Sequence, residues 1–162
     1  MITRRFLMMS GAAGVALAFG SALGPAFAQT TFAVMKSDQD WKKILTADQF
    51  AVLRQAATER PFTSPLLKEH RKGVFGCAGC KQDAFSSDTK FESGTGWPSF
   101  WAPINKTAVA TVTDKSLGMI RSEVRCTRCG GHLGHVFDDG PKPTGLRYCM
   151  NGLALTFRPT TA

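Results

Sequence analysis

The sequence predicts a mainly β (α+β) fold, with two short helices followed by an antiparallel β-domain. Two helix-start signals precede Pro61, whereas short β-branched or alternating segments follow Gly73. Glycine, proline, asparagine and aspartate separate these segments, as is typical of connections between antiparallel strands. Because the helices come first and the strands after, this arrangement is favoured over a doubly wound α/β sheet.

The first 28 residues are predicted to be an export signal. Arg4 and Arg5 precede residues 6–27, which carry no charge, and this order is close to the twin-arginine pattern. A general secretory signal is the alternative. The segment ends in a small-x-small tripeptide at Ala28, the pattern that a signal peptidase reads. Glycines and serines interrupt the apolar run, so cleavage after Ala28 is favoured over a stable membrane anchor. We therefore expect the mature protein in the periplasm.

Of the 162 residues, 134 remain after the predicted signal, enough for one domain with a single core. The formal net charge falls from +8 to +6, because two arginines leave with the signal. The remaining basic residues are spread along the chain without a nucleic-acid motif, so no nucleic-acid partner is expected. We predict a flexible lead-in over residues 29–40, one domain over residues 41–158, and a monomer.

Two helix-start signals open the domain. Ser37 and Asp40 can satisfy the first backbone amides of a helix, and Thr46 with Gln49 repeats this device. Pro61 limits any continuation, because the residue before a proline disfavours the helical conformation. We expect the two helices to pack as a lid on the strands. The apolar residues at helical spacing are Trp41, Ile44, Leu45, Phe50, Leu53 and Ala57.

Four segments after Gly73 predict strands. Residues 74–75, 108–113, 118–124 and 153–157 are β-branched or alternate between apolar and polar side chains. Residues 145–152 are expected to contribute a strand, a turn and the start of another strand. Together these short segments predict an antiparallel β-domain.

Four of the five cysteines form two C-x-x-C pairs, Cys77 with Cys80 and Cys126 with Cys129. Such a turn points two thiolates at one centre, and two such turns supply the four sulfurs of a tetrahedral zinc site. We therefore predict one structural zinc ion that ties together two turns separated by 45 residues. Two redox dithiols, two disulfides and an iron–sulfur site are the alternatives.

The fifth cysteine, Cys149, stands alone and has two interpretations. Free cysteines are often buried core residues. However, Arg147, Asn151 and the upstream His132 and His135 can lower a thiol pKa or bind to a thiolate. On the residues alone, both interpretations stay open. The two histidines suit proton transfer or the orientation of a water better than a second metal site, and surface histidines are the alternative.

Several motifs together resemble the methionine-R-sulfoxide reductase family. The first motif covers residues 90–100 and the second covers residues 118–126. The third and most specific covers residues 132–141 and continues to residues 147–151. With a shorter match at residues 58–62, the resemblance extends over nearly the whole chain after the predicted signal.

The resemblance implies two antiparallel sheets in a tent-like arrangement, with the zinc ion bound away from the active centre. The zinc ligands would be Cys77, Cys80, Cys126 and Cys129. It also implies that Cys149 attacks the sulfur of a methionine-R-sulfoxide residue, which leaves a sulfenic acid on the enzyme and releases methionine.

Roles for five further residues follow from the same resemblance. His132 and His135, together with Asn151 and a bound water, would position and protonate the departing sulfoxide oxygen. Trp97 would receive the S-methyl group of the substrate. Arg147 would support the site electrostatically. The expected substrates are oxidised proteins that carry methionine-R-sulfoxide.

The chain departs from many family members because it has no sixth cysteine. Those members carry a recycling cysteine in the segment matching residues 114–118, and it forms a disulfide with the oxidised nucleophile. We therefore expect an external reductant for Cys149, either a small thiol or a thioredoxin-like partner. Gly152 stands where serine is common and is expected to tune activity.

Two rival functions belong to different classes. A zinc-knuckle module that binds a protein or a nucleic acid would explain the paired cysteines and the positive charge. It would not explain Trp97, the histidines or Cys149. A different thiol enzyme, peroxidase-like or hydrolytic, is the second rival, and a screen of substrates distinguishes it.

Overall fold

The computed structural model describes residues 31–160. The predicted export signal lies outside the described residues. Among residues 31–160, no helix combines the length and the apolar character that crossing a membrane requires. Two α-helices open the domain, α1 (Asp38–Ile44) and α2 (Ala47–Gln55), as the sequence predicts.

The capping residues at both helix starts adopt the expected geometry, with one difference. At α2, the capping box of Thr46 and Gln49 is complete. At α1, the Ser37 hydroxyl accepts a hydrogen bond from the Asp40 N–H (3.2 Å). The same hydroxyl donates to the Asp40 carboxylate (2.7 Å), so that carboxylate holds the capping side chain rather than a backbone amide.

The rest of the described chain forms two antiparallel sheets, which confirms the mainly β prediction. The strands are β1 (Gly73–Cys77), β2 (Asp83–Ser86), β3 (Lys90–Phe91), β4 (Ser99–Phe100), β5 (Val109–Asp114), β6 (Arg121–Cys126), β7 (His132–Phe137), β8 (Arg147–Met150) and β9 (Leu155–Pro159). One sheet has the order β2-β1-β9, and the other has the order β3-β4-β8-β7-β6-β5.

Two strands begin later than the sequence pattern predicts. β6 begins at Arg121, three residues late, because Leu117 and Gly118 have positive φ angles of 56° and 71° and form a turn. β9 begins at Leu155, two residues late, because Leu153 lies in a 3-10 turn. In both places the side chains are typical of strands, but the residues form a short turn before the strand begins.

An aromatic cluster joins the two sheets. Phe75 of β1 and Phe85 of β2 lie in the three-stranded sheet, and Phe100 of β4 lies in the six-stranded sheet. The ring centroid of Phe100 is 5.0 Å from that of Phe75 and 4.5 Å from that of Phe85, and all three rings are fully buried. Because aromatic rings bury large apolar areas, this cluster fixes one sheet against the other.

The two helices cover the strand ends that carry the paired cysteines. Trp41 of α1 and Leu53 of α2 are buried, and both lie next to Gly79 in the first C-x-x-C turn. Arg54 donates a hydrogen bond from Nη1 to the carbonyl of Cys129 in the second turn (3.0 Å). The expected lid therefore packs on the cysteine cluster.

Candidate active site and metal centre

β8 places Cys149 inside the six-stranded sheet. Its partners on the adjacent strands are Ser99 of β4 and His135 of β7. The half-buried thiol opens into a small cavity of about 120 Å³. This cavity is lined by Thr58, Trp97, Arg121, Gly134, His135, Phe137, Cys149 and Asn151. Three of the residues expected near Cys149, namely Trp97, His135 and Asn151, therefore share one cavity with it.

Trp97 forms an apolar wall of the cavity and is held at its polar end. Its indole N–H donates a hydrogen bond to the carbonyl of Glu59 (2.9 Å). Gly96, next to it, has a φ of +94°, and a Cβ there would lie 2.7 Å from Pro61. Only glycine allows this close approach. The loop before β4 therefore fixes the position of the ring facing Cys149.

His135 belongs to an ion-pair network at the edge of the cavity. Its Nε2 lies 2.8 Å from the Asp114 carboxylate, which also accepts a hydrogen bond from Arg121 (2.7 Å). Hydrogen bonds from the Ser116 N–H and hydroxyl, followed by those from His135 and Arg121, hold the pKa of Asp114 well below its usual range. Asp114 therefore remains ionised at neutral pH, and the Nδ1 of His135 is left for a ligand.

His132 lies behind His135 and is almost completely buried. Its Nδ1 is 2.7 Å from the Glu123 carboxylate. Burial lowers the pKa of His132, and the hydrogen bond to Glu123 only partly offsets this effect. Burial acts to raise the pKa of Glu123, but hydrogen bonds from Arg125 and His132 outweigh it and lower that pKa. A neutral ring beside an ionised carboxylate is the expected state at neutral pH.

A bulge in β7 brings the two imidazole rings together. Arg125 pairs with His132, but the preceding Val124 pairs with Gly134, so β7 has one extra residue at this point. Residues three apart in a regular strand point to opposite faces, and a bulge changes that alternation. The ring centroids of His132 and His135 are 5.4 Å apart.

Asn151 is buried and uses most of its side chain to hold the backbone around the site. Its Oδ1 accepts a hydrogen bond from the Glu59 N–H (2.9 Å), and its Nδ2 donates to the Leu133 carbonyl (3.2 Å). An amide nitrogen has two hydrogens. One Nδ2 hydrogen therefore remains for a ligand in the cavity that Asn151 lines.

Arg147 lies outside the group of cavity-lining residues but close to them. It makes two hydrogen bonds to the Asp139 carboxylate (2.8 and 2.9 Å), and its guanidinium lies 4.5 Å from the ring centroid of Phe137, which lines the cavity. Asp139, and to a smaller extent Cys149, raise the pKa of Arg147. The guanidinium is thus held in place with its charge partly compensated.

Sequence reasoning did not identify the residues that hold the expected site residues in place. Asp114 and Glu123 bind the two histidines, and Glu59 binds both Trp97 and Asn151. Thr95 places its hydroxyl 3.8 Å from the Cys149 sulfur. Glu59 and Thr95 lie inside motifs that carry the family resemblance, whereas Asp114 has no local signal.

The four paired cysteines form a separate cluster. All four sulfur atoms lie within 4.8 Å of one another. The Cys77 and Cys129 sulfurs are 3.7 Å apart, and those of Cys80 and Cys126 are 3.5 Å apart. These contacts pair one turn with the other, and all four thiols are free. The cluster can hold a metal ion, and none of its members lines the Cys149 cavity.

The charge state of the cluster is also suited to a cation. Hydrogen bonds from Cys126 and the other two thiols lower the pKa of Cys80, and the contact with Cys126 is the main cause that raises the pKa of Cys77. Hydrogen bonds from Cys129 and Cys77 also lower the pKa of Cys126, and the contact with Cys126 raises that of Cys129. The neighbouring thiols therefore stabilise thiolates at Cys80 and Cys126 and oppose further ionisation. A divalent cation at the centre would compensate the additional negative charge.

Comparisons with known proteins agree with this site. A family model described as the SelR domain matches residues 45–159. The chain is 53% identical over 126 residues to the peptide methionine sulfoxide reductase MsrB of Agrobacterium fabrum, covering 78% of this chain and 93% of the relative. It is 58% identical over 126 residues to MsrB of Methanosarcina barkeri (78% and 89%) and 55% identical over 127 residues to MsrB of Leptospira interrogans (78% and 97%).

Replacing Glu123 by glutamine should lower the pKa of His132 further, because the variant removes the charge that opposes the effect of burial. A titration of the imidazole proton signals by NMR measures this. Because burial lowers its pKa, His132 is harder to protonate in the folded protein than in the unfolded chain. Its contribution to the unfolding free energy is therefore complete above the unfolded-state pKa of about 6.5 and is lost as the pH falls towards the lower folded-state pKa. The Glu92→Gln variant at an exposed position is the control. An unchanged or raised His132 pKa in Glu123→Gln would contradict the inference that the Glu123 carboxylate partly offsets the effect of burial on His132.

Proposed function

The chain belongs to the SelR-domain family, and from this membership we infer that it reduces methionine-R-sulfoxide to methionine. It is an enzyme of the peptide methionine-R-sulfoxide reductase class. The identity of 53–58% to three reductases over nearly their whole lengths carries this conclusion. A zinc-knuckle binding module is not favoured, because it gives no reason for a cavity that contains a free thiol, an indole and an imidazole.

We propose that Cys149 is the nucleophile. Its thiolate attacks the sulfoxide sulfur, and the sulfur–sulfur bond made in that attack breaks again as the oxygen passes, with one proton, from the substrate sulfur to the Cys149 sulfur. In the balanced step, the Cys149 thiol and the sulfoxide give a Cys149 sulfenic acid and methionine. The cysteine sulfur is oxidised by two electrons and the substrate sulfur is reduced by two. Sulfenic acid is the first product on the oxidation ladder of a thiolate.

The two histidines are proposed to supply and direct the proton that the sulfoxide oxygen needs. His132 uses Nδ1 to bind Glu123, and His135 uses Nε2 to bind Asp114. The His135 ring lines the cavity and keeps Nδ1 for the substrate oxygen or for a bridging water, whereas the His132 ring does not line it and would act through a bridging water. Each carboxylate accepts the N–H of its ring and so fixes the tautomer and the orientation of the imidazole. The other nitrogen of a neutral ring accepts a proton, so the ring would take up the proton that leaves the Cys149 thiol and return it to the sulfoxide oxygen.

The remaining site residues are proposed to orient the substrate. The Trp97 ring offers an apolar contact to the S-methyl group, which determines which face of the sulfur meets Cys149. Asn151 keeps one amide hydrogen for the oxygen or for a water. Arg147 favours the Cys149 thiolate through its charge, and Asp139 limits that effect.

We propose that the cysteine cluster holds one structural zinc ion. Zinc–thiolate bonds of about 2.3 Å in a tetrahedron place the sulfur atoms about 3.8 Å apart. Two sulfur pairs between the turns lie at 3.7 and 3.5 Å, which fits this geometry. When bound, zinc supplies a cross-link between the two turns. The ion would take no part in the reaction, because none of the four cysteines lines the Cys149 cavity.

The sulfenic acid is proposed to be reduced by an external thiol. Four of the five cysteines belong to the cluster, so the chain has no further thiol for an internal disulfide. Two equivalents of a small thiol, or one dithiol of a thioredoxin-like partner, would return Cys149 to the thiol and release water. The substrates would be oxidised proteins that carry methionine-R-sulfoxide, and the enzyme would act as a monomer.

We also propose that the enzyme works in the periplasm. The paired Arg4 and Arg5, the uncharged segment after them and the small-x-small tripeptide at Ala28 support export by the twin-arginine route. That route carries folded proteins, so zinc would be bound before export. The mature enzyme would begin at Gln29, and residues 41–158 would form the catalytic domain.

Purified residues 29–162 should reduce only the R epimer of methionine sulfoxide when dithiothreitol is the reductant. The Cys149→Ser variant should lose turnover by on the order of 10³-fold or more, because it lacks the nucleophile. Resolution of the two epimers by chromatography measures both results. Turnover of neither epimer by a folded, metal-loaded protein would contradict the conclusion that the chain is a reductase.

Peptide mapping after turnover tests the proposal of an external reductant. A disulfide between Cys149 and Cys77 or Cys129 would contradict that proposal.

The Cys129→Ser variant should lose its zinc and more than about 3 kcal/mol of unfolding free energy, because metal-binding free energy forms part of the folding free energy. Metal content and urea unfolding measure the two effects. Cys149→Ser is the matched control and should keep one zinc per chain. Zinc retained by Cys129→Ser, or iron found in the unchanged protein, would contradict the proposed site.

Changing both Arg4 and Arg5 to lysine should keep the uncleaved precursor in the cytoplasm, since the twin-arginine route reads this pair. Cell fractionation of a bacterial host followed by N-terminal sequencing measures location and cleavage. Normal export of the variant would indicate the general secretory route. A periplasmic protein that begins upstream of Gln29 would contradict cleavage after Ala28.

A further inference from the structure

A row of three hydroxyl groups leads from the protein interior to the Cys149 sulfur. The Ser99 and Ser93 oxygens are 2.7 Å apart, and the Ser93 and Thr95 oxygens are 2.9 Å apart. The Thr95 oxygen lies 3.8 Å from the Cys149 sulfur, within the range of hydrogen bonds to sulfur. Ser99 is 1% exposed, so the row begins in the core and ends in the catalytic cavity.

The fold brings these residues together through one strand pair and one loop. Ser99 of β4 is the direct partner of Cys149 on β8. The loop before β4 folds back over this pair, because Gly94 and Gly96 have positive φ angles of 72° and 94°. Thr95 stands between these two glycines, so its side chain returns over the Cys149 sulfur.

Each hydroxyl has one hydrogen to donate, so the row has two consistent arrangements. In the first, the Cys149 thiol donates to Thr95, Thr95 to Ser93, Ser93 to Ser99, and Ser99 to the Trp97 carbonyl (3.1 Å). In the second, Ser99 donates to Ser93 and gives up its hydrogen bond to the Trp97 carbonyl, Ser93 donates to Thr95, and Thr95 donates to the Cys149 sulfur. The first arrangement suits a neutral thiol, and the second suits a thiolate.

The far end of the row shows that it orients dipoles rather than conducting protons. It ends at a backbone carbonyl, which is not a proton acceptor at neutral pH, and Ser99 has almost no contact with solvent. When Cys149 ionises, its proton must therefore leave on the cavity side. The three hydroxyls respond by rotation alone.

Each charged or titratable group around Cys149 is bound to a carboxylate, and the Arg147 guanidinium also interacts with the Cys149 sulfur. Arg147 on the same strand binds Asp139, His132 on β7 binds Glu123, and both His135 on β7 and Arg121 on β6 bind Asp114. Positive charge near the sulfur is thus largely compensated. A neutral donor in direct contact with the sulfur has a correspondingly large effect on the thiolate.

We propose that Thr95 is a catalytic residue that donates a hydrogen bond to the Cys149 thiolate, and that Ser93 and Ser99 are positioning residues that orient its hydroxyl. The proposal rests on the proposed role of Cys149 as the nucleophile. It predicts that the hydroxyl at position 95 increases the fraction of Cys149 that is ionised at neutral pH.

The pH dependence of Cys149 alkylation tests this proposal without any sulfoxide. The zinc-loaded mature enzyme would be treated with iodoacetamide between pH 5 and 10, and modification of the Cys149 peptide would be followed by mass spectrometry. Thr95→Val keeps the shape of the side chain and removes the hydroxyl, whereas Thr95→Ser keeps the hydroxyl. Thr111→Val on exposed β5 is the control for a surface change of the same kind.

The alkylation midpoint of Thr95→Val should rise by about one pH unit, which is about tenfold less thiolate at any pH below both midpoints. Thr95→Ser and Thr111→Val should keep the midpoint of the unchanged enzyme. Ser93→Ala should shift it in the same direction by a smaller amount, and this variant also tests the proposal if Thr95→Val does not fold. An unchanged midpoint in Thr95→Val, or an equal shift in Thr95→Ser, would overturn the role of the hydroxyl.

Single turnover with the R epimer gives a second measurement. The rate of Thr95→Val should fall about tenfold near neutral pH and recover above its raised midpoint, because only the thiolate population has changed. A loss of rate that persists at high pH would assign Thr95 to substrate placement instead and overturn the proposal. If the unchanged protein reduces no sulfoxide, the alkylation midpoints still decide the question of the hydrogen bond, and the two hypotheses fail separately.

Discussion

The contact between the two C-x-x-C turns is the constraint on which the rest of the structure depends. Cys77 ends β1 of the three-stranded sheet, and Cys126 ends β6 of the six-stranded sheet. The second turn also begins β7, since only two residues separate Cys129 from His132. Holding the four sulfurs together therefore fixes one sheet against the other and fixes the start of β7, the strand that carries His132 and His135.

A second junction lies at Glu59, whose hydrogen bonds join the segments that carry Trp97, Asn151 and Leu153. Its backbone binds Asn151 and the Trp97 indole, and its carboxylate accepts a hydrogen bond from the Leu153 N–H (3.1 Å). Glu59 is 8% exposed, so these bonds are shielded from water. Gly152 belongs to this junction, because a Cβ there would overlap the Ser64 hydroxyl. The Ser64 hydroxyl therefore occupies the space that a side chain at position 152 would need.

The sequence predicts the parts of this structure that have a local cause. Capping residues predict both helices, and two C-x-x-C turns predict the cluster. β7 has no local signal, because the polar His132, the bulge and Gly134 interrupt the alternation of a strand. The contacts that hold the site residues in place also have no local signal in the sequence. Asp114 of β5 and His135 of β7 come together only because both strands pair with β6. The order of the strands in the sheet brings such distant residues together, and the sequence pattern of a single segment does not reveal that order.

The balance of charge around Cys149 suits a neutral substrate. Methionine sulfoxide carries no net charge, so a strongly positive cavity would add no attraction for it and would favour competing anions. The pairing of Arg147, His132, His135 and Arg121 with carboxylates leaves little free charge. The site must then stabilise negative charge only where it forms, first on the Cys149 sulfur and then on the sulfoxide oxygen. The proposed Thr95 hydroxyl at the sulfur, and the imidazoles that we propose take up a proton before they act at the oxygen, meet that requirement without attracting anions in the resting enzyme.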